Sequence, residues 1–245
     1  MKKNKQENGC RELTLRQTAK YLQKHDNYII LTHASPDGDT LGSAFALYYA
    51  LKEIGKAACV ICPDVIPEKY NYFARQTDHV SRDDATVVAV DVADKRLLGG
   101  LEEEFGDIVD LNIDHHISNV RFAKNLFLDA DAAATAESMY ELLGIMKVNI
   151  NDVTAKALYT GIATDTGCFK YSNVTAKTHM IVAQLYEYNI DAPEINRIMF
   201  DTKSRKLLEL ERMVLDASEF HFGGKCILLP VTAEMQEKTG CSGTE

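Results

Sequence analysis

The sequence lacks any long apolar run. Its longest runs, residues 86–90 and 226–231, fall far short of the roughly 20 residues that a membrane-spanning helix needs. Proline and glycine are not clustered, since the five Pro and 14 Gly are scattered, so no low-complexity tract or flexible linker is predicted. With 46% hydrophobic and 26% charged residues, the 245-residue chain has the composition of a globular protein with one large or two modest domains.

An excess of positive charge is also missing. The formal net charge is −9, which argues against sequence-independent binding to long nucleic acids, because that binding depends on a cationic surface. The negative excess leaves room for a carboxylate cluster that binds divalent cations. No apolar segment follows the basic residues 1–5, so we predict no signal peptide, no membrane association and a cytoplasmic location.

The six cysteines show no disulfide pattern, because they are widely spread in a chain that is long enough to fold without cross-links. Cys59 and Cys62 form one C-x-x-C pair, which is typical of half a zinc site or of a redox pair. The sequence has no second such pair, and residues 59–62 are an apolar run. We therefore expect reduced thiols in a buried strand.

Short β-rich runs alternate with helical patterns in the first half of the chain. A capping-box pattern, Thr14-x-x-Gln17, predicts a helix over residues 14–25. Strands are predicted at residues 28–32, 57–62, 86–90 and 108–113. Helices are predicted at residues 41–54, 68–75, 132–144, 151–163, 175–188, 192–200 and 203–216. This order predicts an α/β fold, with a mostly parallel sheet flanked by helices and a helix-rich second half.

The pattern changes near residue 217, where residues 219–222 and 226–229 predict a β-hairpin on the two-residue turn Gly223-Gly224. The remaining residues are too few to bury a core of their own. We therefore expect a first domain over residues 1–216 and the beginning of a smaller α/β domain, cut short, over residues 217–245.

Acids and imidazoles follow the predicted strands, at the carboxyl ends where open parallel sheets bind ligands. They are His33, Asp37, Asp39, Asp91, Asp114, His115 and His116, and Asp165 follows a predicted helix. Carboxylates gathered in this way require a compensating cation. Asp and His ligands without Cys suit Mn²⁺, Mg²⁺, Fe²⁺ or Zn²⁺. Their number fits two ions that share a carboxylate better than it fits one ion.

Three of the four motifs have another interpretation when each is taken alone. Asp37-Gly38-Asp39 is a common turn, and Asp91 could cap the following helix. Asp165-Thr166-Gly167 matches the aspartic-protease triplet, but that chemistry needs two copies and the chain has one. Asp114-His115-His116 has little value for packing. Taken together, the four motifs indicate a functional site.

The four motifs, in their order and spacing, are His33-x-x-Pro36-Asp37-Gly38-Asp39-x-x-Gly42-Ser43, Val90-Asp91, Asp114-His115-His116-x-x-Asn119 and Gly161-x-x-Thr164-Asp165-Thr166-Gly167-x-Phe169. This set resembles motifs I to IV of the DHH phosphoesterase superfamily, and the resemblance extends over nearly the whole chain to residue 216. Residues 31–173 most resemble its branch of small bacterial oligoribonucleases that also dephosphorylate 3′-phosphoadenosine 5′-phosphate (pAp).

The resemblance implies the roles of individual residues. One metal ion would be held by His33, Asp37 and Asp91, and the other by Asp39, Asp91, His115 and Asp165. Both ions would be Mn²⁺, with Mg²⁺ as the alternative. The implied catalytic residues are His116, Asp114 and Asp91, and Asp114 would orient His115. His116 would face the scissile phosphate and either stabilise charge on its oxygens or protonate the leaving oxygen, and the nucleophile would be a hydroxide that bridges the two ions. Substrate contacts are expected from His116, Ser43 and Asn119.

The implied activity is 3′-5′ exonuclease-type hydrolysis of short 5′-phosphorylated oligonucleotides, hydrolysis of pAp, or both, by a homodimer. One alternative is a family II inorganic pyrophosphatase, which shares the motifs; Ser204-Arg205-Lys206 is similar to part of its C-terminal signature, but lies in a predicted helix. Linear products of cyclic dinucleotide signalling are another candidate substrate. The last alternative is a catalytically weak metal- and nucleotide-binding module, because the Gly-rich motif of the family's second domain, called DHHA1, is not found after Gly223-Gly224.

Overall fold

The computed structural model of the chain describes residues 6, 7 and 9–241. The strands are β1 (Gln6–Glu7), β2 (Cys10–Glu12), β3 (Tyr28–Leu31), β4 (Ala58–Ile61), β5 (Thr86–Val90), β6 (Leu111–Asp114), β7 (Asn125–Leu128), β8 (Glu219–His221) and β9 (Cys226–Leu228). The α-helices are α1 (Leu15–Lys24), α2 (Gly38–Glu53), α3 (Glu102–Phe105), α4 (Thr135–Met146), α5 (Asp152–Asp165), α6 (Ala176–Leu185), α7 (Ala192–Asn196), α8 (Arg205–Asp216) and α9 (Ala233–Thr239). Short 3₁₀ segments lie at Glu68–Tyr70, Lys95–Leu101 and Phe222–Gly224.

The main sheet has the strand order β1-β2-β7-β6-β5-β3-β4. β1 pairs with β2 antiparallel, whereas the pairs from β2 to β4 are all parallel. The six parallel strands therefore confirm the predicted α/β fold with a mostly parallel, helix-flanked sheet. The order also places β3, β5 and β6 side by side in the middle of the sheet, so that their carboxyl ends meet at one edge.

Both faces of the central strands are buried. Ile29 and Val87 pack with Phe105, which lies in α3, in one apolar cluster. Because side chains alternate along a strand, Ile30 and Val88 point to the opposite face, where they are fully buried. α2 contacts β3, β4 and β5. Apolar residues at consecutive positions are what a parallel sheet covered on both faces requires.

α2 lies in very close contact with α5, and glycine allows this approach. A Cβ atom added to Gly42 would lie 2.3 Å from the carbonyl oxygen of Ala157. α2 begins at Gly38 rather than at the predicted residue 41, because the Asp37 carboxylate caps it by accepting hydrogen bonds from the N–H groups of Asp39 and Thr40. The packing of the two helices brings Asp39, in the first turn of α2, next to α5.

Several predicted helices and strands differ from the structure in their bounds or their type, and two strands were not predicted. The predicted helix over residues 68–75 is a single 3₁₀ turn, and the predicted strand over residues 108–113 begins only at Leu111. β2 and β7 were not predicted, because strands of three and four residues are stabilised by pairing with their neighbours and leave little local pattern. The hairpin of β8 and β9 is connected by residues 222–225, which include a 3₁₀ turn, and not by a two-residue turn.

The chain forms two compact units, residues 1–196 and 197–245. The first holds the main sheet, and in the second α8 contacts α9 while β8 pairs with β9. The assignment of residues 217–245 to the beginning of a substrate-binding domain stays a prediction. Among the described helices, none combines the length and the apolar character that a bilayer span needs.

Candidate metal centre

The predicted site residues meet at the carboxyl edge of the central strands. His33 follows β3 by two residues, and Asp37 is the N-cap of α2. Asp91 comes directly after β5, and Asp114 is the last residue of β6. The three strands are parallel neighbours, so the side chains at their carboxyl ends lie close together at one edge of the sheet.

Asp91 lies between two histidines. Its side chain is only 2% exposed, and its backbone has the left-handed value φ 60°, which few residues other than glycine adopt. Its N–H donates to the carbonyl oxygen of Ile113, 2.9 Å away, which fixes this turn. Asp91 Oδ2 lies 3.8 Å from His33 Nε2, and Asp91 Oδ1 lies 3.7 Å from His115 Nε2. One carboxylate thus presents a different oxygen to each imidazole.

Three overlapping groups of potential metal-ligand atoms lie around Asp91. The first comprises His33, Asp37 and Asp91, the second comprises Asp39, His115 and Asp165, and the third comprises Asp91, His115 and His116. Within each group the ligand atoms lie within 4.8 Å of one another. In the first group His33 Nε2 is 3.6 Å from Asp37 Oδ2, and in the second His115 Nε2 is 3.2 Å from Asp165 Oδ2 and 3.9 Å from Asp39 Oδ2.

Both imidazoles are oriented by backbone carbonyl groups. His33 Nδ1 lies 2.8 Å from the carbonyl oxygen of Ala34, and His115 Nδ1 lies 3.1 Å from that of Ala132. These contacts assign the Nδ1 atoms as donors, so that Nε2 in each ring faces the carboxylates. His115 Nε2 is buried and has no hydrogen-bond partner. A lone pair facing carboxylates needs a proton or a cation between them, so the donor set fits a divalent cation.

The electrostatics of the cluster indicate the same need for positive charge. Burial, together with the charge of Asp37, raises the pKa of Asp91 to about 6. Burial and the nearby carboxylates of Asp91 and Asp165 raise the pKa of Asp39 well above its usual value. Burial alone would lower the pKa of His33, but its interaction with Asp37 raises it to about 9. In the absence of a metal ion the cluster therefore retains protons that a cation could replace.

His116 belongs to the third group but is also bonded to Asp114. Its Nδ1 donates to Asp114 Oδ1 over 2.8 Å, whereas Asp91 Oδ1 lies 3.5 Å away. The imidazole Nε2 is the nitrogen left to meet another molecule, and the side chain is 42% exposed. Although burial opposes it, the hydrogen bond that His116 donates to Asp114 raises the pKa of His116. His116 is thus positioned to carry a proton at the mouth of the cluster.

The predicted role of Asp114 needs a correction. Asp114 was expected to orient His115, but its Oδ1 accepts from the His116 ring, and it contacts only the backbone N–H of His115, at 2.9 Å. The chain after β6 turns so that both backbone N–H groups point to this oxygen, which leaves the His116 ring within its reach and the His115 ring against Ala132.

Two predicted substrate contacts are also placed differently. Ser43 is fully buried and donates to Asp39 Oδ1 over 3.2 Å, so its hydroxyl supports a metal-ligand candidate, and its contact with substrate stays a prediction. Asn119 donates from Nδ2 to Asp114 Oδ2 at 2.6 Å, and its Oδ1 accepts from the N–H of Arg121. Both polar groups of Asn119 are engaged within the protein, where they hold Asp114 in place.

The structure also reveals supporting residues that the sequence did not indicate. The N–H groups of Thr135 and Ala136, at the start of α4, donate to the Asp39 carboxylate at 2.6 and 2.9 Å. The Thr135 hydroxyl donates to Asp91 Oδ1 over 2.8 Å. The one available signal was that Ala134, which precedes α4, provides no side-chain cap. The N–H groups of the first turn of α4 are therefore free to donate to another acceptor.

This sheet with acids and imidazoles at its carboxyl edge is the architecture of a known class. Residues 27–162, more than half of the chain, match the DHH family, N-terminal domain, and the chain belongs to the DHH family. It is 35% identical over 218 residues to the bifunctional oligoribonuclease and PAP phosphatase NrnA of Thermus thermophilus, a match that covers 86% of this chain and 64% of the relative. The chain thus spans less than two thirds of that relative's length.

Two further similarities bear on fold and function. The chain is 24% identical over 216 residues to a probable manganese-dependent inorganic pyrophosphatase of Enterococcus faecalis, covering 81% of this chain and 68% of the relative. The crystal structure of an exopolyphosphatase-related protein of Bacteroides fragilis superposes with a TM-score of 0.81 at 23% identity, over 94% of this chain and 73% of the other. This superposition confirms the fold, and the family match confirms the resemblance seen in the four motifs.

Proposed function

We propose that the protein is a metal-dependent phosphoesterase that hydrolyses short 5′-phosphorylated oligonucleotides, pAp, or both. The observation that carries the proposal is the position of Asp91, which turns one oxygen toward the His33 group and the other toward the His115 group. A carboxylate shared in this way suits a pair of metal ions. The similarity to the Thermus relative, a bifunctional oligoribonuclease and PAP phosphatase, supports the choice of substrates.

The two groups would hold the metal ions: His33, Asp37 and Asp91 one, and Asp39, Asp91, His115 and Asp165 the other. When bound, divalent cations supply positive charge for the oxygens of a phosphate and lower the pKa of water. Imidazole nitrogens among the ligands favour Mn²⁺ over Mg²⁺. A homodimer stays a prediction.

The remaining residues position and protonate the substrate. Asp114 fixes the His116 ring through Nδ1, so His116 Nε2 is the atom that meets the phosphate. The raised pKa of His116, caused by Asp114, keeps a proton available for the leaving oxygen. Asp114 acts through His116 and is therefore a positioning residue.

A hydrolysis assay with and without added Mn²⁺ tests the proposal. Its substrates are pAp, a 5′-phosphorylated dinucleotide, a linear and a cyclic dinucleotide, pyrophosphate and a long single strand. We expect metal-dependent turnover of pAp or the short oligonucleotides, and loss of it in Asp91→Asn. The matched control is Asp107→Asn, which removes an exposed carboxylate that pairs with Lys95. Turnover that persists in Asp91→Asn, or a protein that binds no divalent metal, would overturn the proposal.

Inorganic pyrophosphate hydrolysis is the second candidate. The observation in its favour is the similarity to the Enterococcus relative, which extends over 81% of this chain. The same assay separates the two functions, because a pyrophosphatase turns over pyrophosphate much faster than any nucleotide. Faster turnover of pAp or of the dinucleotide than of pyrophosphate would support the phosphoesterase and exclude the pyrophosphatase.

A further inference from the structure

The loop after α5 has an unusual backbone that follows directly from the metal-ligand candidate Asp165. Gly167, Cys168 and Phe169 all have left-handed conformations, with φ of 55°, 57° and 64°. Left-handed backbone is disfavoured for residues other than glycine, and such strain is concentrated at functional sites. The turn reverses the chain, so that the N–H groups of Lys170 and Tyr171 both donate to the carbonyl oxygen of Thr166, at 2.9 and 3.0 Å.

The reversed chain lays the ring of Tyr171 on Gly167. A Cβ atom added to Gly167 would lie 2.3 Å from Tyr171 Cζ and 2.5 and 2.7 Å from its two Cε atoms. These ring carbons, and not the hydroxyl oxygen, are the nearest atoms, so the glycine lies beneath one face of the ring. Tyr171 is nevertheless 62% exposed, the highest value of any aromatic residue in the described part of the first unit. The other face of the ring is therefore open to solvent.

The loop that carries Tyr171 is fixed at two points and follows directly from a metal-ligand candidate. Phe169 packs on Tyr159, with ring centroids 6.1 Å apart. Asn173 closes the loop, since its Nδ2 donates to the carbonyl oxygens of Asp165 and Ala133 at 3.1 and 3.0 Å. Two peptide units separate Asp165 from Gly167, which limits their Cα atoms to about 7.6 Å. A fixed aromatic face thus lies on the loop that carries a metal-ligand candidate.

We infer that Tyr171 is a stacking platform for the base of a nucleotide whose phosphate is bound at the Asp91 cluster. This inference rests on the proposed phosphoesterase function and adds to it the element that distinguishes a nucleotide from a simple phosphate. Aromatic side chains bind bases of any sequence through their faces, and a preformed ring loses little freedom on binding. The ribose of a nucleotide places its base a few bonds from its phosphate, which matches a ring fixed beside Asp165.

The test compares pAp with ribose 3′,5′-bisphosphate, which has the same phosphates and no base. In the wild-type protein pAp should have the lower KM. Tyr171→Ala should raise the KM for pAp about 5- to 150-fold, the range for loss of one stacked base, with kcat nearly unchanged. The KM for the base-free compound should not change. Tyr171→Phe, which keeps the aromatic face, should retain the preference for pAp.

Tyr186→Ala is the matched control, because Tyr186 is 56% exposed but packs against Tyr159 and lies outside the loop. It should leave both KM values unchanged. Equal effects of Tyr171→Ala on the two compounds, or none on either, would overturn the inference. If the wild-type protein hydrolyses neither compound, calorimetric binding of both in the presence of Ca²⁺ tests Tyr171, and equal affinities would refute its role. The proposed function fails separately, and only if the 5′-phosphorylated dinucleotide is not hydrolysed either.

Discussion

The Thr135 hydroxyl donates a hydrogen bond of 2.8 Å to Asp91 Oδ1, the oxygen that faces His115. The bond links the first turn of α4 to the end of β5 and fixes the rotation of the carboxylate that faces both His33 and His115. We expect Thr135→Val, which keeps the shape and removes the hydroxyl, to weaken Mn²⁺ binding about 10- to 100-fold. Calorimetric titration with Mn²⁺ measures this change.

Thr135→Ser is the matched variant, because it keeps the hydroxyl while losing only a methyl group. Its Mn²⁺ affinity should stay close to that of the wild-type protein. Equal losses in the Val and Ser variants would mean that packing of the buried side chain, and not its hydrogen bond to Asp91, explains the effect.

His116→Gln separates protonation from metal binding. His116 is bonded to Asp114 through Nδ1, and its replacement leaves the group of His33, Asp37 and Asp91 and the group of Asp39, His115 and Asp165 complete. We expect kcat to fall about 10²- to 10⁴-fold, the usual contribution of a general acid, while the increase in Tm caused by Mn²⁺ persists. Thermal unfolding with and without Mn²⁺, alongside initial rates, checks both parts. A loss of the metal-induced increase in Tm would instead make His116 a ligand.

The stability of the metal-free protein should fall between about pH 6.5 and 9. The pKa of His33 rises from 6.5 to about 9 on folding, despite burial, because of its interactions with Asp37 and Asp91. A group whose pKa is raised stabilises the folded state fully below its unfolded pKa, and this contribution is lost as the pH rises through the folded value. The corresponding loss for Asp91, from 3.8 to about 6, occurs at lower pH.

Thermal unfolding from pH 6.5 to 9 measures this effect. Added Mg²⁺ should reduce the decline, since a cation replaces the lost protons. His33→Asn should make the decline of the metal-free protein less steep without abolishing it, because the pKa of His115 is also raised, to about 10, by its interaction with Asp165 despite burial. His79→Asn, at an exposed histidine, should leave the decline unchanged. A metal-free Tm that rises over this range would contradict the prediction.

Gly42→Ala tests the contact between α2 and α5. The new methyl group would lie 2.3 Å from the carbonyl oxygen of Ala157 and 3.1 Å from the nitrogen of Gly161, both backbone atoms. Since neither can rotate away, the helices must separate, and we expect the free energy of unfolding to fall by about 1–3 kcal/mol. Gly144→Ala, in α4, meets nothing within 4 Å and should raise it by about 0.5–1 kcal/mol. Urea denaturation compares the two; similar changes of one sign would contradict this account.

The sequence predicted the fold class and the meeting of the site residues for a physical reason. Parallel strands share a carboxyl edge, so chemical groups just after β3, β5 and β6 must converge whatever the details of the loops. The N-terminal capping box of α1 was equally local: Thr14 and Gln17 form it as predicted. Short strands such as β2 depend on their partner β7 and could not be predicted from their own residues.

The correct partner of Asp114 could not be predicted either. His115 and His116 are identical side chains on adjacent residues, and only the backbone torsions after β6 decide which ring reaches the carboxylate. The hydrogen bonds from Thr135 and Ala136 to the site carboxylates could not be predicted for another reason. They come partly from backbone N–H groups, which every residue type except proline has and which therefore leave no trace in the sequence.

Asp91 adopts a left-handed backbone conformation while it buries a carboxylate. Glycine at this position would relieve both costs, because it has no steric penalty there and no charge to desolvate. A selection of random variants for folded, soluble protein alone would consequently enrich Asp91→Gly, a variant that lacks the carboxylate shared by the two proposed metal sites. At this one position, stability and the proposed metal binding favour different residues.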